Sequence, residues 1–258
     1  MRTENVGKPL LAELRAKAPL ISVGILTADL TSLGSELKLM EDAGVKLLHV
    51  DVMDGCFCPM MTVGPVLIKA MKTSLFKDVH LLVDEPLNKL ESYVAAGADI
   101  ITVQVESCRH IHRVLQALGE MTNANDSNRG ILRGLALNPG TPLDVIAPLM
   151  DELEMVFLLA VNPGWSGQKF IPSTRLRLGQ VKEMIRAAGK NILAGVDGGV
   201  TRNNIAEVSR MDADIIVTGS AVFDGKAPLE NARFMLSAVS DAAKASQTMS
   251  VKQQQGKL

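Results

Sequence analysis

The feature that most limits the fold of this chain is a regular alternation of short β-rich apolar runs with longer segments of helical spacing. In the longer segments apolar residues recur every three to four positions, as at Leu33, Leu37 and Met40, and glycine often follows the last turn, as at Gly44. Mostly apolar strands that alternate with helices form parallel sheets covered on both faces. Eight strand-like runs follow this pattern, at residues 20–26, 47–53, 79–83, 100–106, 131–138, 155–162, 192–197 and 215–219.

Eight strand–helix pairs are the number that closes a parallel β/α (TIM) barrel, and the length of 258 residues suits one such domain. The alternative is an open doubly wound sheet, but the first strand–helix turn lacks the G-x-G-x-x-G pattern of that fold. We therefore predict an α/β fold, an eight-stranded parallel barrel over residues 19–245. A helical extension (1–18) is expected to cover the barrel bottom, and a polar tail (246–258) is expected to be disordered.

Composition narrows the class of protein. Hydrophobic residues make up 47% of the chain and aromatic residues 3%, so the core must be aliphatic and methionine-rich. A net charge of −1 and the lack of a long basic run argue against nucleic acid as a partner. No apolar stretch approaches the roughly 20 residues that span a membrane, and the N-terminus lacks a signal-peptide core. We expect a cytoplasmic protein with no membrane partner, a homo-oligomeric state, and three free cysteines.

Four potential metal ligands lie at the ends of strand-like runs: His49 and Asp51 in the second run, His80 in the third and Asp197 in the seventh. Residues two apart on a strand point to the same face, so His49 and Asp51 point the same way. Any one of the four could simply be satisfied locally. In a closed barrel, however, the set would converge at the C-terminal ends of the strands, where catalysis occurs. Two imidazoles and two carboxylates suit one divalent ion, Zn, Fe, Mn or Co.

Glycine-rich loops follow the sixth, seventh and eighth strand-like runs. Glycines let backbone amides turn toward an anion, and the helix N-termini that follow would add positive potential. One such loop would be no more than a tight turn, but three at neighbouring barrel strands favour a phosphate site. The predicted substrate-binding residues in these loops are Gly164, Trp165, Ser166, Gly167, Gly198, Gly199, Gly219 and Ser220.

At these positions the chain resembles the ribulose-phosphate 3-epimerase family, over roughly residues 20–225. The motifs that carry the resemblance are ILTADL, HVDVMDG, DVHLLV, LALNPGTPL, AVNPGWSGQKFIP, VDGGV and TGSAVF. The resemblance implies a β/α barrel isomerase that holds one divalent ion through His49, Asp51, His80 and Asp197. It also implies that Asp51 and Asp197 act as the acid/base pair on opposite faces of the substrate. Inverting a stereocentre next to a carbonyl needs such a pair, and a metal stabilises the developing ene-diolate.

The chain also departs from the pattern common in that family. Of three methionines that usually line the reaction centre, Met53 is kept as a predicted substrate contact, while Leu82 and Leu159 stand at the other two positions. Gly24 replaces a serine of the first strand, and Gln104 stands where a histidine is common. Because the ligands are kept and the lining is changed, we expect the same reaction on a ketose phosphate that differs from the usual one.

Three functions remain open at this point. The first is an epimerase that inverts carbon 3 of a ketose phosphate, with ribulose 5-phosphate and xylulose 5-phosphate as the default pair. The second is an epimerase similar to allulose-6-phosphate 3-epimerase that serves sugar catabolism. The third is a non-catalytic paralogue that binds a sugar phosphate. The two carboxylates Asp51 and Asp197 argue against the third function, since a binding protein has no need of opposed acids and bases.

Overall fold

The computed structural model describes residues 8–255, with the side chains of residues 9–245. Strands and helices alternate along this part of the chain. The strands are β1 Leu20–Gly24, β2 Leu47–Met53, β3 Phe76–Leu82, β4 Ile100–Gln104, β5 Leu132–Leu137, β6 Met155–Leu159, β7 Leu193–Asp197 and β8 Ile215–Thr218. The helices are α1 Lys8–Lys17, α2 Leu33–Ala43, α3 Pro65–Ala70, α4 Leu90–Ala95, α5 Ile111–Gly119, α6 Thr174–Ala187, α7 Ile205–Ser209 and α8 Pro228–Gln255. Segments of 3₁₀ helix lie at Leu30–Ser32, Pro86–Lys89, Val105–Ser107 and Leu143–Glu152.

The eight strands pair in parallel and in chain order, and β8 pairs with β1 to close the barrel. The prediction of an eight-stranded parallel β/α barrel is confirmed. The register brings the predicted ligands side by side, because Asp51 of β2 lies opposite His80 of β3. Asp197 is the last residue of β7, opposite Leu159 of β6. These residues therefore lie toward the same C-terminal end of the barrel.

The opposite end of the barrel is closed by α1. Its buried side chains Leu10, Leu11 and Leu14 pack against a layer formed by the first residues of the strands, including Leu47 and Ile100. Burial of leucine side chains in this way stabilises a fold by roughly 1.5–3 kcal/mol each. Because this end is filled with apolar side chains, the polar residues of the barrel are concentrated at the other end.

Two predicted elements differ from the structure. Strand β3 begins at Phe76 rather than at residue 79. The charged residues Lys77 and Asp78 belong to the strand because each has a buried partner. The Nζ of Lys77 donates to the Ile68 carbonyl at 3.1 Å, and the carboxylate of Asp78 lies beside His49. After β5 the expected α-helix is a 3₁₀ helix, Leu143–Glu152, with Pro148 inside it. Proline has no amide hydrogen and disrupts an α-helix at such a position.

The predicted division of the chain extends past the described residues. Helix α1 lies within the predicted extension 1–18, of which residues 1–7 are outside the described part. The tail predicted to be disordered, 246–258, begins inside α8, which continues to Gln255, and residues 256–258 are again outside. The three-part division stays a prediction. In the described part of the chain, no helix has the length and apolar character needed to cross a membrane.

Candidate functional site

The four predicted metal ligands meet at the C-terminal end of the barrel. Asp51 Oδ1 lies 3.3 Å from both His49 Nε2 and His80 Nδ1. Asp197 Oδ2 lies 3.6 Å from His49 Nε2 and 3.4 Å from His80 Nδ1. One ligand atom from each residue therefore belongs to a group whose members are all within 4.8 Å of one another. Residues separated by almost 150 positions in the chain form one cluster because β2, β3 and β7 end at the same rim.

The spacing of these atoms allows one ion to contact all four. Ligand atoms about 2.0–2.2 Å from a shared ion lie about 3–4.4 Å from one another. The four separations between a histidine nitrogen and an aspartate oxygen, 3.3 to 3.6 Å, fall within that range. His49 Nε2 and His80 Nδ1 are buried and lack a hydrogen-bond partner among the described residues. Buried polar atoms without partners are costly, so these two nitrogens are suited to a ligand held between them.

His49 is oriented from behind by Asp78. The Nδ1 of His49 lies 2.8 Å from Asp78 Oδ2, and both side chains are fully buried. The hydroxyl of Ser22 donates to the same oxygen at 3.2 Å. A carboxylate without a proton can only accept, so Nδ1 of His49 carries a hydrogen, and Nε2 is the nitrogen left to bind a metal. This arrangement of carboxylate, histidine and open site is typical of metal centres.

His80 is oriented by an amide rather than by a carboxylate. The Gln104 side chain is fully buried and lies 3.0 Å from His80 Nε2. With its carbonyl oxygen toward His80, its nitrogen donates to Glu106 Oε2 at 2.8 Å and to the Ala136 carbonyl at 3.2 Å. The prediction that Gln104 belongs to the pocket lining is wrong: the residue lies behind His80 and is not among the residues that line the cavity. It contacts a metal ligand and not the substrate space.

The electrostatics of the cluster favour charge on all four groups. Burial lowers the pKa of His49, but the carboxylates of Asp78, Asp51 and Asp197 outweigh it and raise that pKa well above its usual value. Burial likewise opposes the shift at His80, whose pKa is raised by Asp197 and Asp51. For Asp51 and Asp197 burial raises the pKa, but His49 and His80 together outweigh it, and the pKa of each carboxyl falls below its usual value. Both aspartates are therefore ionised at neutral pH, as metal ligands need to be.

One cavity joins this cluster to the three glycine-rich loops. Three of the ligands line it, namely Asp51, His80 and Asp197, while His49 is buried behind them. The predicted substrate-binding residues all line the same cavity: Met53, Gly164, Trp165, Ser166, Gly167, Gly198, Gly199, Gly219 and Ser220. The structure therefore brings every predicted site residue to one place.

The loops after β6 and β7 depend on glycine for their close approach. Gly199 has φ +68°, and a Cβ there would lie 2.7 Å from the Phe170 nitrogen. The amides of Gly199 and Ser220 donate no hydrogen bond to another residue of the described chain, so they are free to bind an anion. The helices that follow these loops begin several residues after the glycines, since α6 starts at Thr174, α7 at Ile205 and α8 at Pro228. The amides available to an anion belong to turns and not to the first turns of these helices.

Comparison with known proteins identifies the family. A sequence model of the family described as "Ribulose-phosphate 3 epimerase family" matches residues 20–223. The chain is 41% identical over 206 residues to the ribulose-phosphate 3-epimerase of Bacillus subtilis, covering 79% of this chain and 91% of that protein. It is 40% identical to the enzyme of the same name from Escherichia coli K12, covering 81% and 90%, respectively.

The chain belongs to the ribulose-phosphate 3-epimerase family. It is accordingly an isomerase, as predicted. Among solved structures, the 3-hexulose-6-phosphate synthase from Salmonella typhimurium is 17% identical with a TM-score of 0.61, covering 86% of this chain and 99% of that one. A tryptophan synthase alpha chain from Legionella pneumophila is 16% identical with a TM-score of 0.60, covering 93% and 97%. At these identities the likeness shows the barrel fold alone.

Within this family member, the wall of the cavity above the ligands is apolar. Met53, Leu82 and Leu159 line the cavity, and Met53 and Leu82 pack with Cys58, a buried free thiol of the loop after β2. Gly24 also lines the cavity, and a Cβ there would find its nearest neighbour at 3.6 Å, which is ordinary contact. Packing therefore does not require glycine at position 24, and its effect is to leave space beside the ligands.

Two functional residues were missed in the sequence. Asp78 is two positions before His80, so it points to the same face of β3, and that spacing was a usable signal. Glu106 contacts Gln104 from the 3₁₀ segment that follows β4, and no spacing rule connects it to His80. The two remaining histidines, His110 and His112, are exposed and lie outside the metal cluster.

Proposed function

We propose that this protein is a metal-dependent epimerase that inverts carbon 3 of a ketose phosphate. The observation that carries the proposal is the single cavity in which a two-histidine, two-aspartate cluster faces three glycine-rich loops. The cluster supplies ligands and proton carriers, and the loops supply unpaired amides for a phosphate. The names of the relatives support ribulose 5-phosphate and xylulose 5-phosphate as the substrate pair.

His49, Asp51, His80 and Asp197 would hold one divalent ion, Zn, Fe, Mn or Co. The fit rests on the separations of 3.3 to 3.6 Å between the histidine nitrogens and the aspartate oxygens, and on the two unpartnered nitrogens. When bound, such an ion polarises the substrate carbonyl and stabilises the negative charge of the ene-diolate, which is worth several kcal/mol.

The proton transfers are assigned to Asp51 and Asp197. Each turns one oxygen to the histidines, and the second oxygen accepts no hydrogen bond from another described residue. One ionised carboxylate removes the proton from carbon 3, and the electron pair of the C–H bond forms the double bond of the ene-diolate. The other carboxyl, which is ionised in the free site and has to take up a proton before this step, returns that proton to the opposite face. The two groups then have exchanged protonation states, as a reversible epimerisation requires.

The phosphate is assigned to the loops that follow β6, β7 and β8. The free amides of Gly199 and Ser220 can donate to a dianion without help from lysine or arginine. This contact is remote from carbon 3, so its binding free energy can hold the sugar in a reactive position.

The experiment that tests the proposal is exchange of the carbon 3 proton with deuterated solvent, measured with metal-replete protein. Asp51→Asn and Asp197→Asn should each abolish net epimerisation, because one face then lacks its acid or base. Metal content has to be measured beside turnover, since both residues are also proposed ligands. Asp84→Asn, an exposed carboxylate after β3, is the matched control and should keep full turnover. Near-normal turnover in either site variant refutes the two-carboxylate mechanism.

The substrate is tested separately by comparing ketose phosphates. The space left by Gly24 beside the ligands favours, as a second candidate, a hexulose phosphate such as allulose 6-phosphate. A higher kcat/KM for that sugar than for ribulose 5-phosphate would select it. Binding without any proton exchange would instead select the non-catalytic paralogue. We also propose a homo-oligomer in the cytoplasm, to be checked by light scattering and by fractionation of the source cells.

A further inference from the structure

A chain of hydrogen bonds runs from the buried ring of His80 away from the cavity, through Gln104, to the exposed side chain of Glu106 and the loop after β5. Gln104 lies 3.0 Å from His80 Nε2 and, on its other side, 2.8 Å from Glu106 Oε2 and 3.2 Å from the Ala136 carbonyl. Gln104 is fully buried, whereas Glu106 is exposed, so solvent approaches this chain from the Glu106 end. The function assigned above uses none of these contacts except the ring of His80.

The orientation of the Gln104 amide follows from its neighbours. If its carbonyl oxygen faced Glu106 and Ala136, three acceptors would meet in a buried space without a hydrogen between them, which is costly. The amide nitrogen must therefore face Glu106 and Ala136, and the carbonyl oxygen must face His80. Only an N–H can satisfy that oxygen, so Nε2 of His80 carries a hydrogen, and Nδ1 is the nitrogen left to bind a metal.

Glu106 is itself held in place. Its Oε1 accepts from the Asn138 amide at 2.8 Å and from the Thr141 hydroxyl, both in the loop after β5. Its Oε2 is the atom that accepts from Gln104. Glu106 is not one of the residues that line the cavity, and it does not touch any of the four ligands.

We propose that Glu106 is a positioning residue that acts through Gln104 to set the tautomer of His80 and the direction of its Nδ1 lone pair. The ring of His49 is oriented by a carboxylate in direct contact, Asp78. The ring of His80 is oriented by Gln104, which is in turn held by the carboxylate of Glu106. Without Glu106, the amide of Gln104 loses its charged acceptor, and both orientations of the amide become accessible. In one of them Gln104 offers N–H to His80, which favours the tautomer that cannot bind through Nδ1.

The inference rests on the proposed metal site, so zinc affinity of the wild type is measured first, by competition with a chelator. Glu106→Ala and Gln104→Leu should each lower zinc affinity by about 10- to 100-fold, as loss of an outer partner of a ligand does. Glu106→Gln should keep affinity within a few fold, because its amide oxygen can still accept from Gln104. Thr141→Val removes a loop contact of Glu106 but leaves the Gln104 contact, and should leave affinity unchanged.

The second measurement separates positioning from general loosening of the fold. The chain has four histidines, so ¹⁵N spectra of the zinc-loaded protein contain few ring signals. The Nε2–H of His80 should exchange faster with water in Glu106→Ala and Gln104→Leu, while the Nδ1–H of His49 stays as in the wild type. Wild-type protein that fails to bind zinc overturns the metal site itself. Two outcomes would overturn the role of Glu106 alone. The first is that Glu106→Ala and Gln104→Leu keep the zinc affinity and the His80 exchange rate of the wild type. The second is that Thr141→Val loses as much zinc affinity as Glu106→Ala.

Discussion

Replacing Gly199 with alanine tests the phosphate loops most directly, because the structure gives the cost of the change in two parts. The residue has φ +68°, where an alanine costs about 1–2 kcal/mol relative to glycine. The added Cβ would also lie 2.7 Å from the nitrogen and 2.8 Å from the Cα of Phe170. Those are backbone atoms, so no side-chain rotation relieves the contact, and the loop after β6 has to move away from the loop after β7.

The size of the effect follows from these two costs. Overpacking of this kind costs about 1–3 kcal/mol, so the total is about 2–5 kcal/mol. The loop is expected to relax to avoid the contact, and phosphate binding then has to restore the original position. Since about 1.4 kcal/mol corresponds to tenfold, KM for the phosphorylated sugar should rise at least about 30-fold.

A matched control is available in the same cavity. Gly167 has φ +84°, but a Cβ there would meet no atom within 4 Å, so Gly167→Ala carries the conformational cost without the collision. The assay is KM for ribulose 5-phosphate and competition by inorganic phosphate, together with zinc content and melting temperature. Gly199→Ala should raise KM clearly more than Gly167→Ala, with zinc content unchanged in both. Equal KM values for the two variants would refute the claim that the contact of residue 199 with Phe170 displaces the loops that bind the phosphate.

Other expected outcomes concern the ligands, pH, stability and substrate. His80→Ala should lower metal content and turnover together, and retention of metal at wild-type affinity would show that the ligand set is wrong. Because the surrounding carboxylates outweigh burial and raise the pKa of His49 and His80, protons should compete with the metal, and chelator-measured affinity should fall as the pH is lowered from neutral. Hydrogen bonds from the amide of Ser74 and from the hydroxyls of Thr73 and Ser74 lower the pKa of Glu41 to about 2. The ionised Glu41 therefore stabilises the fold at pH values above the ordinary pKa of a glutamate, and this stabilisation is lost as the pH falls toward 2. Glu41→Gln should reduce the free energy of unfolding by about 1 kcal/mol at pH 7 and by less at pH 3, as measured by urea denaturation. A ketose without phosphate should lose turnover as well as affinity, and equal efficiency on the free sugar would dismiss the phosphate site.

The sequence was sufficient for the barrel because its main signal is periodic. Apolar runs that alternate with helical spacing specify parallel strands, and the number of runs decides closure. The same signal failed at β3, where Lys77 and Asp78 interrupt the apolar pattern although both are buried. Charged residues enter a strand there because the fold supplies partners, the Ile68 carbonyl and His49, that no local pattern reveals.

The candidate site was predictable to the extent that each residue could be placed on a strand end. His49, Asp51, His80 and Asp197 were found in this way. The role of Gln104 was not, because its place in the pocket lining was inferred from the family resemblance, whereas the side chain packs behind His80. Which of two buried partners a side chain contacts depends on the twist and register of neighbouring strands, and a single sequence does not record them.

The charges of the cluster connect the site to the stability of the barrel. Asp51, Asp78 and Asp197 place three largely buried carboxylates within contact of two histidines. Buried charges are costly unless they are paired, and here the pairing without an ion requires protons on both imidazoles. A divalent ion would replace those protons and also satisfy the two unpartnered nitrogens. The ion would then bind the folded barrel far better than the unfolded chain, in which the four ligands are separated. Its binding free energy would therefore add to the free energy of unfolding, and the melting temperature should rise with zinc concentration in the wild type and less in His80→Ala.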